Sequence, residues 1–469
     1  MRERCSRASL RAGVGALAGI AAAMCCAFHG AWAEPIVLGP GPHLLLDDYL
    51  IEDSSLVVRR IMEPQREAAN PLITGQQDGN FQPYVTVVRD PETKRFRVWY
   101  NIQLDGRRRS TLGYMESDDG VAWERPHREL DLPFEVTYGA SILDRGPAYP
   151  DPERRFKFGY YHDGGLRIAV SSDGLDWESL APNALVPCGD ITSIYWDPVR
   201  RRYGANLKQQ TGPRDWLGNR LRKNAHSVSE DLPNWSEPRL SIYPDERDYG
   251  ETQFYCMDGV LARGDLLIGL VRVLRDDLPA EPDGEIAGIG YTTLAWSRDG
   301  AHWERDREPF LPRSSEPGAW DRAMAWGSSQ TPVGGELYIY YGGYQRGHKI
   351  ERNTERRIGL ARIPRDRYVA REAGAERGRL LTRPVTLDAK SMTLNANAAD
   401  GEIRVRVLDL DGEPVPGFSF SECEPVTMDA LDAQVTWSHP LSELAHAPVR
   451  LEIEMERAQL FAIGLHSGD

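Results

Sequence analysis

Ser117-Asp118-Asp119-Gly120-Val121-Ala122-Trp123 is one of four copies of a short phrase. Ser171-Ser172-Asp173-Gly174-Leu175-Asp176-Trp177 and Ser297-Arg298-Asp299-Gly300-Ala301-His302-Trp303 repeat the pattern S-x-D-G-x-x-W. Ser229-Glu230-Asp231-Leu232-Pro233-Asn234-Trp235 keeps Ser, Asp and Trp in register but reads Leu-Pro in place of Gly and its successor. The four tryptophans stand 54, 58 and 68 residues apart, a period of the size of a propeller blade rather than a solenoid coil. Asp accepts hydrogen bonds from the amides just after it, Gly tolerates positive φ, and together they close a tight hairpin. Trp then offers a large apolar face that seals against the neighbouring unit. The copies are read as builders of blades, without chemistry of their own.

Between these hairpins the text is strand. The first unit reads 84–88, 96–102 and 111–116, the second 141–143, 155–162 and 166–171, the third 192–196, 202–207 and 225–229. The fourth reads 257–261, 266–273 and 292–296, and a fifth, 328–331, 336–342 and 357–362, lacks the final hairpin. Each strand is short, rich in Val, Ile, Tyr and Phe, and bounded by Asp, Pro or Gly. The fold predicted is all-β: a five-bladed β-propeller over 34–362, closed with help from the segment before residue 60. Residues 363–384 are rich in Arg and Gly with few apolar positions, which predicts a linker or interface segment. Strand text resumes over 385–469, where Ile403-Val405-Val407 alternates with charged residues, and a C-terminal β-sandwich of structural role is expected.

The chain has 469 residues, 41% hydrophobic and 27% charged, a composition suited to one large and one smaller soluble domain. Arg2, Arg4, Arg7 and Arg11 precede an apolar run from Gly13 to Phe28, and Ala31-Trp32-Ala33 is a small-x-small cleavage signal. Residues 1–33 thus read as a signal peptide cleaved near Ala33, too short and too early for a membrane span, and the protein is expected to be exported to the periplasm or beyond. Its removal takes away four Arg and one Glu, moving the formal charge from −14 to −17. That acidity disfavours nucleic acid as a partner and leaves a neutral sugar unpenalised. Cys188, Cys256 and Cys423 remain in the mature chain, without C-x-x-C spacing, which argues against a disulfide framework and a zinc site while leaving room for one bridge.

Several further stretches look like those of known proteins: His43-Leu44-Leu45-Leu46-Asp47-Asp48-Tyr49-Leu50-Ile51, Phe96-Arg97-Val98-Trp99-Tyr100, and Gly335-Glu336-Leu337-Tyr338-Ile339-Tyr340-Tyr341-Gly342-Gly343. With the four hairpins, they make residues 43–469 resemble the five-bladed propeller glycosidases, glycoside hydrolase family 32 and relatives such as family 43. The resemblance implies a propeller followed by a sandwich, a glycosidic bond as target and an oligo- or polysaccharide as substrate. The family's catalytic phrases are not in their places. Arg89-Asp90-Pro91 spells R-D-P but falls in the turn between the first two strands of blade one, and Glu422-Cys423-Glu424-Pro425 lies in the sandwich.

Candidate groups therefore come from position. Residues leading into the innermost strand of each blade face one axial pocket, so acids far apart in sequence converge there, as two-carboxylate glycoside hydrolysis requires. These positions hold Asp78 on blade one, Asp190 on blade three, Glu251 on blade four and Asp321 on blade five. The resemblance puts the base or nucleophile on blade one, which casts Asp78. Glu251 precedes Thr-Gln-Phe-Tyr, an apolar setting that would raise its pKa as a general acid needs. Asp190 would stabilise charge at the anomeric carbon. Tyr84, Trp196, Asp321, Arg322, Trp326 and His348 are expected to bind substrate, with Phe81, Tyr195, Trp216 and Trp320 as further stacking surfaces and Lys208 and Arg272 as hydrogen-bond donors. No H-E-x-x-H, EF-hand loop, G-x-G-x-x-G or P-loop occurs, so no metal, nucleotide or flavin cofactor is implied. Two other readings fit: a carbohydrate-binding propeller without catalysis, and a sialidase-like hydrolase, whose Asp-box hairpins are similar but whose fold has six blades and an arginine triad.

Overall fold

The computed structural model describes residues 34–467 except 106–108, 211, 213, 215–217, 219, 349 and 351–354. The expected signal peptide and Trp216 lie outside the described residues.

The first blade is an antiparallel sheet of Asn80–Arg89, Phe96–Asp105, Arg109–Ser117 and Arg128–Glu129, from innermost strand to outermost. The second runs Tyr138–Asp144, Phe156–His162, Gly165–Ser171 and Glu178–Ser179, and the third Thr192–Asp197, Arg202–Gln209, Lys223–Ser229 and Arg239–Ile242. Thr252–Arg263, Leu266–Arg275, Ile289–Ser297 and Glu304–Arg305 make the fourth. Met324–Val333, Glu336–Tyr344 and Arg357–Pro364 make the fifth, whose outer edge is completed by Gln65–Arg66 and Ile73–Thr74. Each innermost strand packs against the next, and the fifth packs against the first, closing a five-membered ring. Five blades set aside the six-bladed sialidase reading. The closing residues were expected before position 60 and lie just beyond it.

Small hydroxyl residues on the innermost strands explain how the ring holds together. Thr86 Oγ1 donates to the Ala140 carbonyl at 2.6 Å, Ser141 Oγ accepts from the Ile194 amide at 2.9 Å, and Ser193 Oγ donates to the Met257 carbonyl at 2.8 Å. Gln330 Nε2 donates to the Gly259 carbonyl at 2.6 Å, and Thr331 Oγ1 to the Val87 carbonyl at 2.8 Å. Every junction between neighbouring blades thus carries a side-chain bond at the axis, where main-chain groups of adjacent sheets would otherwise be unpaired.

The repeated hairpins join the third and fourth strands and latch each blade to its neighbour. Asp119 Oδ1 accepts from the amides of Val121 and Ala122, both at 2.8 Å, while Ser117 Oγ accepts from Gly120 at 2.9 Å. The fourth position is left-handed in every copy, with φ of 75°, 78°, 75° and 66° at Gly120, Gly174, Leu232 and Gly300. Leu232 bears that strain because its side chain is buried in the core between blades two and three. The turns dock by their carbonyls: Tyr340 Oη donates to Gly120 and Trp99 Nε1 to Gly174, at 2.9 and 2.8 Å.

The sandwich is not confined to 385–469. One sheet orders Ile36–Leu38, Val385–Leu387, Pro448–Glu456, Gly378–Thr382 and Ile51–Ser55, with Glu402–Leu408 also on Pro448–Glu456. The other orders Asp429–Val435, Ser391–Asn397, Ala458–His466, Val369–Ala373 and Val57–Ile61, with His43–Leu44 also on Ala458–His466. The segment expected as a linker supplies one strand to each sheet. Its arginines read as solvated text but pair across the strands: Arg379 with Glu454 at 3.1 Å, Arg377 with Glu402 at 3.1 Å. Leu44, Leu46, Leu266, Ile268, Trp296 and Tyr368 share one core between sandwich and propeller. Pro35–Asp469 is accordingly one compact unit. No described helix is long and apolar enough to cross a membrane.

Candidate active site

Cys188-Gly189-Asp190-Ile191 bends back onto the second strand of blade three. The Gly189 amide donates to the Lys208 carbonyl at 2.7 Å and the Lys208 amide to Ile191 at 3.0 Å. A Cβ on Gly189 would sit 3.0 Å from that carbonyl, so the close approach favours glycine. The bend sets the Asp190 carboxylate on the Lys208 ammonium in an ion pair. Asp190 keeps 41% of its side chain exposed while Lys208 keeps 3%. Burial pushes the Lys208 amine below its usual range, with Asp190 opposing.

Around this pair the blades converge. Lys208 Nζ lies 5.1 Å from the centre of the Tyr255 ring and Arg222 5.6 Å from it. Tyr255, on the innermost strand of blade four, stacks on Trp326 of blade five with 4.6 Å between centroids. A bulge between Phe254 and Cys256 turns Tyr255 out of the regular alternation. Arg222 donates to Gln253 Oε1 at 2.7 Å and to Asp276 Oδ2 at 3.2 Å. His348 Nδ1 faces Asp276 Oδ1 at 3.1 Å, and its ring meets Tyr255 edge-on at 5.2 Å. Burial lowers His348 to about 3, so the ring is neutral. Beside an acceptor carboxylate, a neutral ring carries its proton on Nδ1. From blade one, Tyr84 brings a buried phenol, pushed up by desolvation and by Tyr255 and Asp190 nearby. From blade two, Tyr138 lies 6.3 Å from the Tyr84 ring. Beneath, Arg272 pairs with Asp258, donates to the Gly327 carbonyl at 3.0 Å and lies 5.9 Å from the Tyr84 ring. The result is a cluster of buried aromatic rings with an ion pair at its exposed edge, the candidate basin. Among the described residues no group of three or more His, Cys, Asp or Glu is placed to hold a metal ion, and Cys188, Cys256 and Cys423 are free thiols.

Six expected residues belong to the basin: Asp190, Tyr84, Trp326, His348, Lys208 and Arg272. Trp326 is wholly buried, its indole donating to the Val273 carbonyl at 2.8 Å, so it backs Tyr255 rather than facing a ligand. The others are elsewhere. Asp78 ends a single helical turn, Gly75–Asp78, and is 1% exposed. Its Oδ1 accepts from Arg125 Nε at 2.8 Å, and its Oδ2 from the Thr74 amide at 2.9 Å and Arg125 Nη2 at 3.2 Å. This carboxylate ties the closing segment to blade one and is not placed as a nucleophile. Glu251 lies ahead of the inner strand of blade four, its amide 3.4 Å from Asp277, whose carboxylate is paired with Arg275.

Asp321 is buried and accepts from Arg66 Nε at 2.8 Å and Tyr341 Oη at 3.0 Å, another clamp on the closing segment. Arg322 is bound to Glu281 at 3.0 and 2.9 Å. Trp196 lies at the opposite end of the axis, where Arg145 covers its ring at 3.4 Å. Asp90 of the R-D-P text caps its own turn, accepting from Glu92 and Thr93 at 2.9 and 2.8 Å. The residues missed include Arg222, Asp276 and Tyr344, whose ring lies 5.6 Å from that of Trp326, and these three sit where second strands end or third strands begin. These positions share the face at which innermost strands start, and that is the signal that would have found them.

No family model matches the chain, and no curated protein does. Solved structures do. A glycosyl hydrolase from Bacteroides ovatus is 15% identical, covering 66% of this chain and 95% of that one with a TM-score of 0.46. An N-acetylgalactosamine deacetylase from F. plautii is 16% identical over 66% and 96% of the two chains, with a TM-score of 0.44. A beta-1,2-mannobiose phosphorylase from Listeria innocua is 12% identical over 65% and 97%, with a TM-score of 0.43. The five-bladed ring of this chain rests on its own strand pairing.

Proposed function

We propose that this protein is exported after cleavage near Ala33, binds an oligo- or polysaccharide at the axial basin and acts on a glycosidic bond there. The observation that carries this reading is Asp190: among the described basin residues it is the acid with an exposed side chain, seated on a buried lysine and flanked by Tyr84 and Tyr255. Apolar ring faces beside a few polar groups suit a sugar, which presents C–H faces and hydroxyls together. In this reading Asp190 faces the anomeric carbon, Lys208 holds the carboxylate in place, and Tyr84 bonds a sugar hydroxyl. Glycoside hydrolysis by two carboxylates needs a partner acid for Asp190, and Asp78 does not supply it.

The test is a screen of polysaccharides and aryl glycosides with the purified protein, followed by Asp190→Asn with folding checked by circular dichroism. Turnover is expected to fall by about 10²-fold or more. Undiminished turnover removes Asp190 from the chemistry. A second reading, glycan binding without cleavage, is favoured by the burial of Asp78 in its ion pair; oligosaccharide binding with no product on long incubation selects it.

A further inference from the structure

Below the layer formed by Tyr84 and Arg272, the axis opens into a cavity of about 560 Å³ that runs to the far ends of the innermost strands. This volume lies within the range of about 300–1,000 Å³ that holds small organic ligands. Most of the hydroxyls on its wall are spent on the blade-to-blade bonds described above. Three polar atoms on the wall are not. Among the described residues, Arg89 Nε, Arg272 Nη1 and Thr192 Oγ1 are buried without a hydrogen-bond partner. Arg272 is 1% exposed and Thr192 4%, so neither side chain reaches open solvent. A buried donor left unbonded is costly, and these two share one chamber.

We propose that this cavity is a second binding site, for a neutral polyhydroxylated molecule of mono- or disaccharide size. Neutral follows from Asp258 at the level of Arg272, where it lines the same wall and already balances that charge; an anion there would meet that carboxylate. Arg89, Asp144 and Arg145 line the far end, where Arg155 holds Asp144. Polyhydroxylated follows from the mixture on offer: a guanidinium N–H that only donates and a threonine hydroxyl that does either. Ile194, Val260 and Leu261 supply apolar wall for C–H faces. The site is separate from the basin of Asp190 and does not depend on chemistry there.

Calorimetric titration with D-galactose, L-arabinose and lactose tests it, using the whole protein and three variants. At least one sugar is expected to bind the unaltered protein. Thr192→Val, nearly isosteric, should weaken that binding by about 3–10-fold, the worth of one hydrogen bond. Ala262→Phe, which fills the cavity near its mouth, should abolish it, and Asp190→Asn should leave it unchanged. If no sugar binds, the cavity holds water and the proposal falls. Binding that survives both Thr192→Val and Ala262→Phe, or that Asp190→Asn removes, places the sugar in the basin and equally overturns it.

Discussion

Replacing Asp78 with asparagine keeps the size of the side chain and removes the charge that Arg125 faces. Breaking a buried ion pair by removing one partner costs about 3–5 kcal/mol, because the other charge is left uncompensated. Arg125 retains 30% of its side-chain exposure and can turn partly toward water, which puts the cost at the lower end. Asparagine also still accepts one of the three bonds that Thr74 and Arg125 now donate. A loss of about 3 kcal/mol follows. At an unfolding entropy of about 2.1 cal/mol/K per residue across the Pro35–Asp469 unit, this lowers the melting temperature by about 3 °C. Differential scanning fluorimetry reads it, and Arg125→Met should give a similar fall with a less than additive double variant. An unshifted melting curve together with lost turnover on a found substrate would show that Asp78 acts in the chemistry, and the structural assignment would be wrong.

Burial lowers His348 to about 3 and His226 to about 4, against about 6.5 when unfolded. Protonation therefore favours the unfolded chain, so stability is full above about pH 6.5 and declines below it by about 1.4 kcal/mol per histidine per pH unit until each folded value is reached. Denaturant midpoints between pH 7 and 5 check this, and a His348→Gln, His226→Gln double variant with an equally steep acid limb would contradict it. Asp173→Ala removes an acceptor for the Leu175 and Asp176 amides and should cost about 1–2 kcal/mol. Asp231→Ala should cost about as much, since Pro233 has no amide proton but Asn234 donates from both its amide and its Nδ2; a negligible loss at either aspartate in urea melts would count against the hairpin account. Gly174→Ala and Gly146→Ala share a φ of 78°, yet only the first would place a Cβ 2.9 Å from Trp99. Gly174→Ala should thus melt several degrees lower, and indistinguishable melting temperatures would refute the docking of that turn.

The propeller was legible because its repeat is carried by short-range chemistry: Ser, Asp and Gly bond within their own hairpin, so the pattern survives in the text. The closing strands were misplaced because Gln65–Arg66 and Ile73–Thr74 contribute two residues each, too few for any periodicity. Residues 363–384 were mistaken for a linker because their charges are neutralised by Glu402 and Glu454, which are distant in sequence. Position along the blade pointed to Asp190, which the structure sets on Lys208; the close approach at Gly189 shows only in the fold. Asp78 misled because Arg125 is 47 residues away and nothing nearby betrays the ion pair. Tyr255 was hidden by a bulge, which shifts the alternation by one and leaves no mark in composition.

The sandwich draws strands from both extremes of the polypeptide, and the ring is sealed by a segment that precedes its first blade. His43–Leu44 finds its partner only when Ala458–His466 exists. During synthesis His43–Leu44 therefore waits, unpaired, until Ala458–His466 has been made. A product truncated within Ala458–His466 would orphan His43–Leu44 as surely as it loses its own strand, so such a truncation should be as damaging as deletion of His43–Leu44.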